Sequence, residues 1–442
     1  MMSENFGWAT SSSFPAHNVD IDWAKIMTTI NLNSSKTVQF QQYSDSFSTG
    51  NYELLQEHME NQQDESGNFQ FTITKDGSTV QTGTRYDSFA DLRDSSKGLM
   101  VASQWFWQNC PKGIAVSDNT MNFFLWPDMS TDHVFIGSHY KTHEMIYNFH
   151  GTISGSYDFS TEMSSLKKRP ILLASDTYYA STNFIDFIPL AQVSTDYTFT
   201  GGEKLQTAID AWNASIRAKF NSSYSTSSNY KYSFFDLREA RPFTWSSGVF
   251  SGQRINWYGW LDFGDFPREG NYGFPAIHYN WTYIALIHGI RFGDYDMLEI
   301  GDQMARHKAD IDIIHDPNGV DSSPGFSEDW YRGGHRYEHD AHYQLGNWKH
   351  TISEHFDPHT GAHSWIKGLI LQYLLTGENY YFEVLQQVGD HWKHNFDENT
   401  KSGRDCGAGP CWDVGETRQV TRVINMVTDF WKLFGDTSYL TL

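Results

Sequence analysis

The hydrophobic period of this chain changes near residue 200, and that change most constrains what the chain can fold into. Before it, segments such as TVQFQQYS, GLMVASQWFWQN and MIYNFHGTISGSYDF alternate apolar and polar residues, as half-buried strands do. After it, segments such as EKLQTAIDAWNASIRAKF and TRQVTRVINMVTDFWKLFGD place apolar residues at helical spacing. At 442 residues the chain is long enough for more than one core. We therefore predict a multidomain α+β protein, with a β-domain at 1–197 and a helical domain at 198–442.

The β-domain is predicted to be an antiparallel β-sandwich. Its short apolar segments are separated by Asp-Gly, Ser-Gly and Asp-Asn pairs, which are residues that favour tight turns. Many short strands with frequent turns and almost no helix are typical of sandwiches and barrels.

The helical domain repeats one plan. An apolar helix ends at a glycine followed by an acidic residue, then an aromatic residue and a second helix; the pairs are Gly293-Asp294, Gly377-Glu378 and Gly435-Asp436. Glycine suits the left-handed residue that ends many helices. Repeated helical hairpins predict an α/α toroid. Because the third copy reaches Leu442 as its second helix should begin, we expect an incomplete toroid, truncated at its C-terminus, whose remaining helices would belong to a longer protein.

The connections between these hairpins are long, at about 220–275, 316–362 and 397–415, and long connections in compact domains are often functional. We expect the tight glycine turns to share one rim of the toroid, so that the long connections all lie at the opposite rim. The second connection contains RGGHRYEHDAHYQLGNWKHTISEHFDPHTGAHSW, with seven of the 19 histidines. The first contains NWYGWLDFGDFPREGNYGF. We expect the two to meet on one face.

Composition excludes several classes of partner. The net charge of −21 argues against nucleic acid and against acidic membrane surfaces. No apolar run is long enough to span a membrane, and the N-terminus has no signal-peptide pattern. Three cysteines do not form a disulfide framework. Cys406 and Cys411, in CGAGPC, are either a local bridge or two free thiols. The aromatic content of 16% is compatible with carbohydrate binding and with a large core.

The histidine-rich stretch carries the residue types of acid–base catalysis. Histidine titrates near neutrality, and Arg336 and Tyr337 lie within the stretch. Arginine, histidine and tyrosine together suit β-elimination from a uronic acid, which needs a cation for the carboxylate, a base for the C5 proton and an acid for the departing O4. The segment YEHDAH also offers zinc ligands, but it has no HExxH pattern. We expect no metal cofactor, with zinc or calcium as the alternative.

The segment WLDFGD contains residues that would suit a second chemistry, glycoside hydrolysis. Asp262 and Asp265 could serve as the paired carboxylates of a glycoside hydrolase, with Trp257, Tyr258 and Trp260 stacking on sugar. A third alternative is a non-catalytic carbohydrate-binding fragment, with stacked aromatic side chains and no convergent titratable groups.

Four motifs in order resemble one enzyme family. FWQNCPKGIAVSDNTMNFFLWP followed by SHYKTHEMIYNFH is similar to the central β-sandwich of the exo-acting rhamnogalacturonan lyases and their bacterial relatives. INWYGWLDFGD, ARHKADIDIIHD and HSWIKGLILQYLLTGE resemble the toroid of that family. The resemblance implies a cleft between sandwich and toroid, eliminative cleavage of a pectic polysaccharide, and an extracellular location. The family also has a preceding N-terminal β-domain, which we do not find in this sequence.

The residues and the resemblance together predict the site. Arg336, with Lys141 or Arg254, would neutralise the carboxylate. The base would be Tyr337 or one of His339, His342 and His143, and the acid would be Tyr258 or a second histidine. Lys141 and His143 enter through the resemblance. The predicted substrate-binding residues are Arg254, Trp257, Trp260, Asp265, His335, His363 and Trp365.

Overall fold

The computed structural model describes two large sheets and a set of helices. It covers residues 3–9, 19–41, 43–58, 69–86, 89–129, 133–135, 139–153, 158–167, 171–182, six positions between 207 and 215, 243–244, 254–255, 259–261, 263–265, 280–315, 332–334, 336–338, 355–356, 364–402 and 417–441. Statements about structure below concern these residues.

Thirteen strands make the two sheets. They are β1 (Ser3–Ala9), β2 (Val19–Thr29), β3 (Lys36–Phe40), β4 (Tyr43–Phe47), β5 (Asn51–His58), β6 (Phe69–Lys75), β7 (Ser78–Gly83), β8 (Phe89–Arg93), β9 (Lys97–Ser103), β10 (Lys112–Ser117), β11 (Thr120–Trp126), β12 (His133–Phe135) and β13 (Met145–Gly151). One sheet has the order β1-β2-β11-β10-β5-β6-β7, with β12 also paired to β2. The other has the order β13-β9-β8-β3-β4, and every pairing is antiparallel.

The two sheets share one apolar core. Val38 and Leu99 from the second sheet are fully buried in the same cluster as Leu54 and Ile114 from the first. The predicted turns are confirmed at two hairpins. Asp76 and Gly77 between β6 and β7 have φ of 48° and 80°, and Asp118 between β10 and β11 has φ of 49°. These positive angles suit tight hairpins, which explains the Asp-Gly and Asp-Asn pairs.

The helical part contains paired helices joined by glycine turns. Its helices are α1 (Ser160–Lys167), α2 (Asp176–Ser181), α3 (Trp281–Phe292), α4 (Tyr295–His307), α5 (Lys367–Thr376), α6 (Asn379–Ser402) and α7 (Thr417–Phe434). A π-helical turn, Lys308–Asp312, continues α4, and a 3₁₀ turn, Thr437–Leu440, follows α7. Two short strand pairs complete the described elements: β14 (Phe243–Thr244) with β15 (Arg254–Ile255), and β16 (Arg336–Glu338) with β17 (His355–Phe356).

The three glycines of the repeated plan all end helices in the predicted way. Gly293, Gly377 and Gly435 have φ of 62°, 69° and 68°. Each donates its backbone N–H to the carbonyl four residues earlier, on Gly289, Tyr373 and Trp431. That bond satisfies an end carbonyl of the helix in the left-handed capping geometry.

The prediction that these turns share one rim is wrong for the first two. The first turn, at Gly293, lies at the start of α4. The second lies at the other end of α4, because Glu378 accepts a hydrogen bond from Arg306 at 2.6 Å. Tyr295 and Arg306 are eleven residues apart on that helix, or about 16 Å at the usual rise. The buried guanidinium of Arg306 needs a carboxylate partner, and the second turn supplies it.

Residues that follow the last strand of the sandwich begin to pack on the helices before the predicted domain boundary at residue 197. Phe159, Met163 and Leu166 pack on Phe89 and Met100 of the sandwich. Further along, Ile171, Leu173 and Tyr179 pack on helices α3 to α5 instead. Strands followed by helices confirm the α+β class. Among the described helices, none combines the length and the apolar character that crossing a membrane requires.

Candidate functional site between sheet and helices

Four segments meet where the sandwich touches the end of α4. They are 104–112, before and within β10; 139–144, before β13; the described loop residues 259–261 and 263–265; and 306–312, at the end of α4 and in the π turn. Gly259 donates its N–H to the carbonyl of Gln108 at 2.6 Å, and Trp260 donates to that of Cys110 at 3.2 Å. We call this region the sheet–helix junction. It brings together the FWQNCPK, KTHE, WLDFGD and ARHKADID motifs.

Asp310 joins the segment 139–144 to the π turn. Its carboxylate accepts hydrogen bonds from the backbone N–H of Thr142 at 2.7 Å and from the Thr142 hydroxyl at 2.9 Å. Tyr380 donates to the same carboxylate at 2.7 Å, and the Asp310 carbonyl accepts from the backbone of Tyr140 at 2.9 Å. Asp310 is fully buried. A buried carboxylate is stable only when its oxygens are well paired, so these bonds fix both neighbours of Thr142, Lys141 and His143, in place.

A π-helical turn makes this contact geometrically accessible. Residues 308–312 bond with i to i+5 spacing instead of the i to i+4 spacing of α4, which widens the helix at its end. Such bulges are rare and occur frequently at functional sites. Here the bulge directs Asp310 toward the sandwich and leaves His307 and Asp312 facing the loop 263–265.

Lys112 and His143 form a buried pair at the junction. The Lys112 Nζ atom donates to the carbonyl of Leu125 at 3.0 Å and lies 3.2 Å from Nδ1 of His143. The same ammonium lies 5.7 Å from the ring centre of Trp126, and the His143 ring packs edge-on against that indole, with ring centres 5.2 Å apart. Lys112 is fully buried, whereas His143 is half-buried. The His143 Nε2 atom is buried and has no hydrogen-bond partner in the described part of the chain.

Burial and mutual repulsion disfavour the charged form of each of these two groups. The pKa of Lys112 is lowered well below its ordinary value, first by burial and then by the charge of Lys141. The pKa of His143 is lowered well below its ordinary value by burial, by Lys112 and by Lys141. His143 is therefore a neutral imidazole at pH 7. A neutral imidazole beside one or two amines can accept a proton or donate a hydrogen bond.

A second polar cluster lies beside this pair. Nε2 of His307 lies 3.5 Å from a carboxylate oxygen of Asp265 and 3.3 Å from one of Asp312. One ligand atom from each of the three residues lies within 4.8 Å of the other two. All three side chains are buried. Imidazole nitrogen and carboxylate oxygen are the atoms that bind zinc and similar divalent ions, so this is the described group that could hold a metal.

Arg306 closes the junction on the helical side. Its guanidinium, which bonds Glu378, also lies over the rings of Tyr380 and Tyr381, at 5.4 and 4.9 Å from their centres. Burial and the neighbouring Asp310 raise the pKa of Tyr380 far above its ordinary value. Tyr380 therefore stays protonated and acts as a hydrogen-bond donor to Asp310, not as a base.

The structure corrects two of the predicted substrate contacts. Trp260 is only 3% exposed and packs edge-on against Trp126, with ring centres 5.7 Å apart. Its indole therefore supports the junction from inside and offers no face to a sugar. Asp265 is fully buried and faces His307, so it is out of reach of a polysaccharide.

The other predicted residues divide into four groups. Lys141 and His143 lie in the sheet–helix junction. Trp365 has the guanidinium of Arg422 3.7 Å from its ring centre. Arg254, Arg336 and Tyr337 are described only as residues of β15 and β16. The remaining candidates fall outside the described residues: Trp257, Tyr258, Asp262, His335, His339, His342 and His363, together with Cys406 and Cys411.

Sequence reasoning did not single out Lys112, Asp310 or His307. Lys112 follows a proline at the start of a strand, where a lysine usually points to solvent. His307 and Asp310 belong to the ARHKADID motif. That motif contributes to the family resemblance, but neither residue was predicted to have a role. The signal that was available is the density of charged residues in a segment that is otherwise apolar, RHKADIDII.

Comparison with known proteins adds no identification. The sequence matches no protein-family model and no curated protein.

Proposed function

We propose that this chain is a carbohydrate lyase that cleaves a uronic-acid-containing polysaccharide of the rhamnogalacturonan type by β-elimination, in an extracellular setting. The observation that carries the proposal is the convergence of Lys112, Lys141 and His143 at the junction. In a chain with a net charge of −21, a local concentration of basic groups is the feature that an acidic sugar requires.

The proposed reaction divides among these groups. The Lys141 ammonium pairs with the C6 carboxylate of the uronic acid, which acidifies the C5 proton. A neutral imidazole removes that proton, the C4–O4 bond breaks, and a C4–C5 double bond forms. A protonated donor returns a proton to the departing O4, so that atoms and charge balance. This is general acid–base catalysis with electrostatic stabilisation of the carbanion-like transition state.

His143 is our first candidate for the imidazole base, because its lowered pKa keeps it unprotonated. Its Nε2 atom is covered by protein in this structure, so the assignment requires that substrate binding uncovers it. His339 and His342 are the alternative bases. Tyr337 is a further alternative base. Arg336 and Arg254 keep their predicted role as cations, and Tyr258 or a second histidine keeps the predicted role of the acid. The helical hairpins are proposed to belong to an α/α toroid, and the substrate cleft to lie between that toroid and the sandwich.

Two observations favour elimination over the alternative chemistries. A hydrolase built on Asp262 and Asp265 needs both carboxylates to reach the sugar, and Asp265 is fully buried. A purely binding fragment would expose aromatic faces, whereas Trp126 and Trp260 are buried and titratable groups converge beside them.

The test is incubation with rhamnogalacturonan and with homogalacturonan, followed by ultraviolet absorbance. Elimination creates a double bond conjugated to the carboxylate, which absorbs, and hydrolysis creates only reducing ends. We expect absorbance to rise with the wild-type protein. The rate of that rise should be at least about 100-fold lower for Lys141→Met, since removing one electrostatic contact in a water-excluded site typically has an effect of that size. Lys97→Met, which changes an exposed lysine of the sandwich, should keep the wild-type rate. New reducing ends without absorbance would overturn the lyase assignment.

A further inference from the structure

The side chains of Asp265, His307 and Asp312 have an arrangement that the proposed lyase chemistry does not use. Each is at most 1% exposed. They come from two separate parts of the chain, the loop 263–265 and the end of α4 with its π turn. We call them the Asp–His–Asp cluster.

The orientation of His307 determines what the cluster can hold. Its Nδ1 atom lies 3.3 Å from the carbonyl oxygen of Phe263, so Nδ1 carries a proton. In a neutral imidazole the other nitrogen, Nε2, then presents a lone pair. That lone pair faces carboxylate oxygens of Asp265 and Asp312. A cation placed between three such electron-rich atoms is attracted to all of them. A backbone carbonyl that fixes the second nitrogen is the usual partner of a metal-binding histidine.

The distances favour a cation over a proton. A hydrogen bond between an imidazolium and a carboxylate draws nitrogen and oxygen to about 2.7–2.9 Å. The observed N···O separations are longer, at 3.5 and 3.3 Å. Two ligand atoms that each lie about 2.0–2.2 Å from a tetrahedral zinc ion are about 3.3–3.6 Å apart. The two separations from His307 Nε2 therefore match those between ligands of one small metal ion.

We propose that Asp265, His307 and Asp312 bind one divalent transition-metal ion, of the size of zinc, in a buried site to which they supply three ligands. One nitrogen and two carboxylates suit zinc, manganese, iron or cobalt. Calcium takes six to eight oxygen ligands at longer distances, so it fits poorly. The site does not rest on the proposed lyase function.

The ion would hold two walls of the sheet–helix junction together. The loop that carries Asp265 also bonds the sandwich through Gly259 and Trp260. The π turn that carries Asp312 bonds Thr142 of the sandwich through Asp310. Gly264 permits the close approach, because an added Cβ there would lie 2.5 Å from the Gln303 carbonyl oxygen and 2.9 Å from His307 Cβ. Removing the ion should therefore loosen the junction before it affects the sandwich core.

The experiment measures metal content and thermal stability in the full chain, expressed without a histidine tag. We expect about one zinc, manganese, iron or cobalt ion per chain, loss of that ion from Asp312→Asn, and a lower Tm after treatment with a chelator that added zinc restores. A cobalt-substituted sample should show the visible absorption of tetrahedral cobalt, an outcome that also keeps the proposal testable if a variant fails to fold.

A matched control is available in the same hairpin. The His288 Nε2 atom lies 3.7 Å from Asp294 Oδ2, and both residues are buried. Asp294→Asn therefore removes a buried carboxylate beside a histidine that is not part of the Asp–His–Asp cluster. It should keep the metal. Metal that survives in Asp312→Asn would show adventitious binding by the histidine-rich stretch. Such a result, or a wild type without metal and without stabilisation by zinc, manganese or cobalt, overturns the proposal.

Discussion

Asp310 on the π turn and Thr142 on the sandwich are joined by two hydrogen bonds, at 2.7 Å to the threonine amide and 2.9 Å to its hydroxyl. The residues are 168 positions apart in the chain. These two hydrogen bonds set where Lys141 and His143 lie relative to the helices, so the sheet–helix junction depends on them.

Replacing Asp310 with asparagine should destabilise the junction. The amide nitrogen of asparagine can donate but not accept, so at least one of the three donors loses its acceptor. We expect a loss of about 2–4 kcal/mol in the free energy of unfolding, measured by denaturant titration. In a double-mutant cycle with Thr142→Val the coupling should be about 1–3 kcal/mol. The free energy of unfolding of Asp118→Asn, in an exposed hairpin turn, should stay within about 0.5 kcal/mol of the wild-type value. An equal loss at Asp118 would show that the Asp310–Thr142 contact contributes no more to stability than an exposed turn residue does.

Removing the charge of Lys112 should raise the pKa of His143. Lys112 is one of the two cations that lower it, after burial itself. Lys112→Met keeps the side chain long and apolar, so burial remains and the pKa should rise without reaching its ordinary value. Histidine-selective NMR across a pH series measures this, with His143→Gln to assign the signal. An unchanged pKa in Lys112→Met would mean that the two side chains are not coupled.

Protonation of His143 should make the protein less stable in acid. Because the folded pKa is lowered, the unfolded chain binds the proton more readily in the window between the lowered pKa and the ordinary value near 6.5. Stability contributed by the neutral imidazole is therefore present above that ordinary value and is lost as pH falls through the window. His143→Gln should show a flatter decline of Tm between pH 7 and about pH 5. Parallel curves for variant and wild type would contradict the assignment of a lowered pKa.

Gly264→Ala should be much more harmful than a change at another glycine with the same backbone handedness. Gly264 has φ of +98°, and a Cβ added there would clash with the Gln303 backbone and with His307. Gly77 has φ of +80°, and nothing lies within 4 Å of a Cβ added there. Alanine at Gly77 incurs only backbone strain, of about 1–2 kcal/mol. At Gly264 a steric clash adds to the strain, and we expect a total loss of about 3–5 kcal/mol. Thermal unfolding of both variants provides the comparison.

Local features of the fold were readable from the sequence. Alternation of apolar residues predicted strands, and Asp76-Gly77 and Asp118-Asn119 formed the expected turns. Gly293, Gly377 and Gly435 ended helices in the left-handed conformation, as predicted. Each of these features depends on a few neighbouring residues and on the steric limits of the backbone, so neighbouring residue types are sufficient to predict them.

The site was only partly readable. Lys141 and His143 were found because their motif resembled a known family, but Lys112 and Asp310 were not, and Trp260 and Asp265 were assigned to the substrate although they are buried. Whether an indole faces a sugar or a core depends on which distant segment covers it, here Trp126 of β11. Periodicity along the chain contains no such information.

The amino-acid sequence by itself thus determined where strands and helices form, where they end and which overall charge the protein carries, because these follow from local sterics and composition. Only the tertiary structure decided that a lysine at position 112 is buried beside His143, that Glu378 lies at the far end of α4, and that Asp265 joins His307 and Asp312. The physical reason is that burial and electrostatic partners are set by contacts between segments far apart in the chain, and these contacts select the protonation and orientation of each side chain.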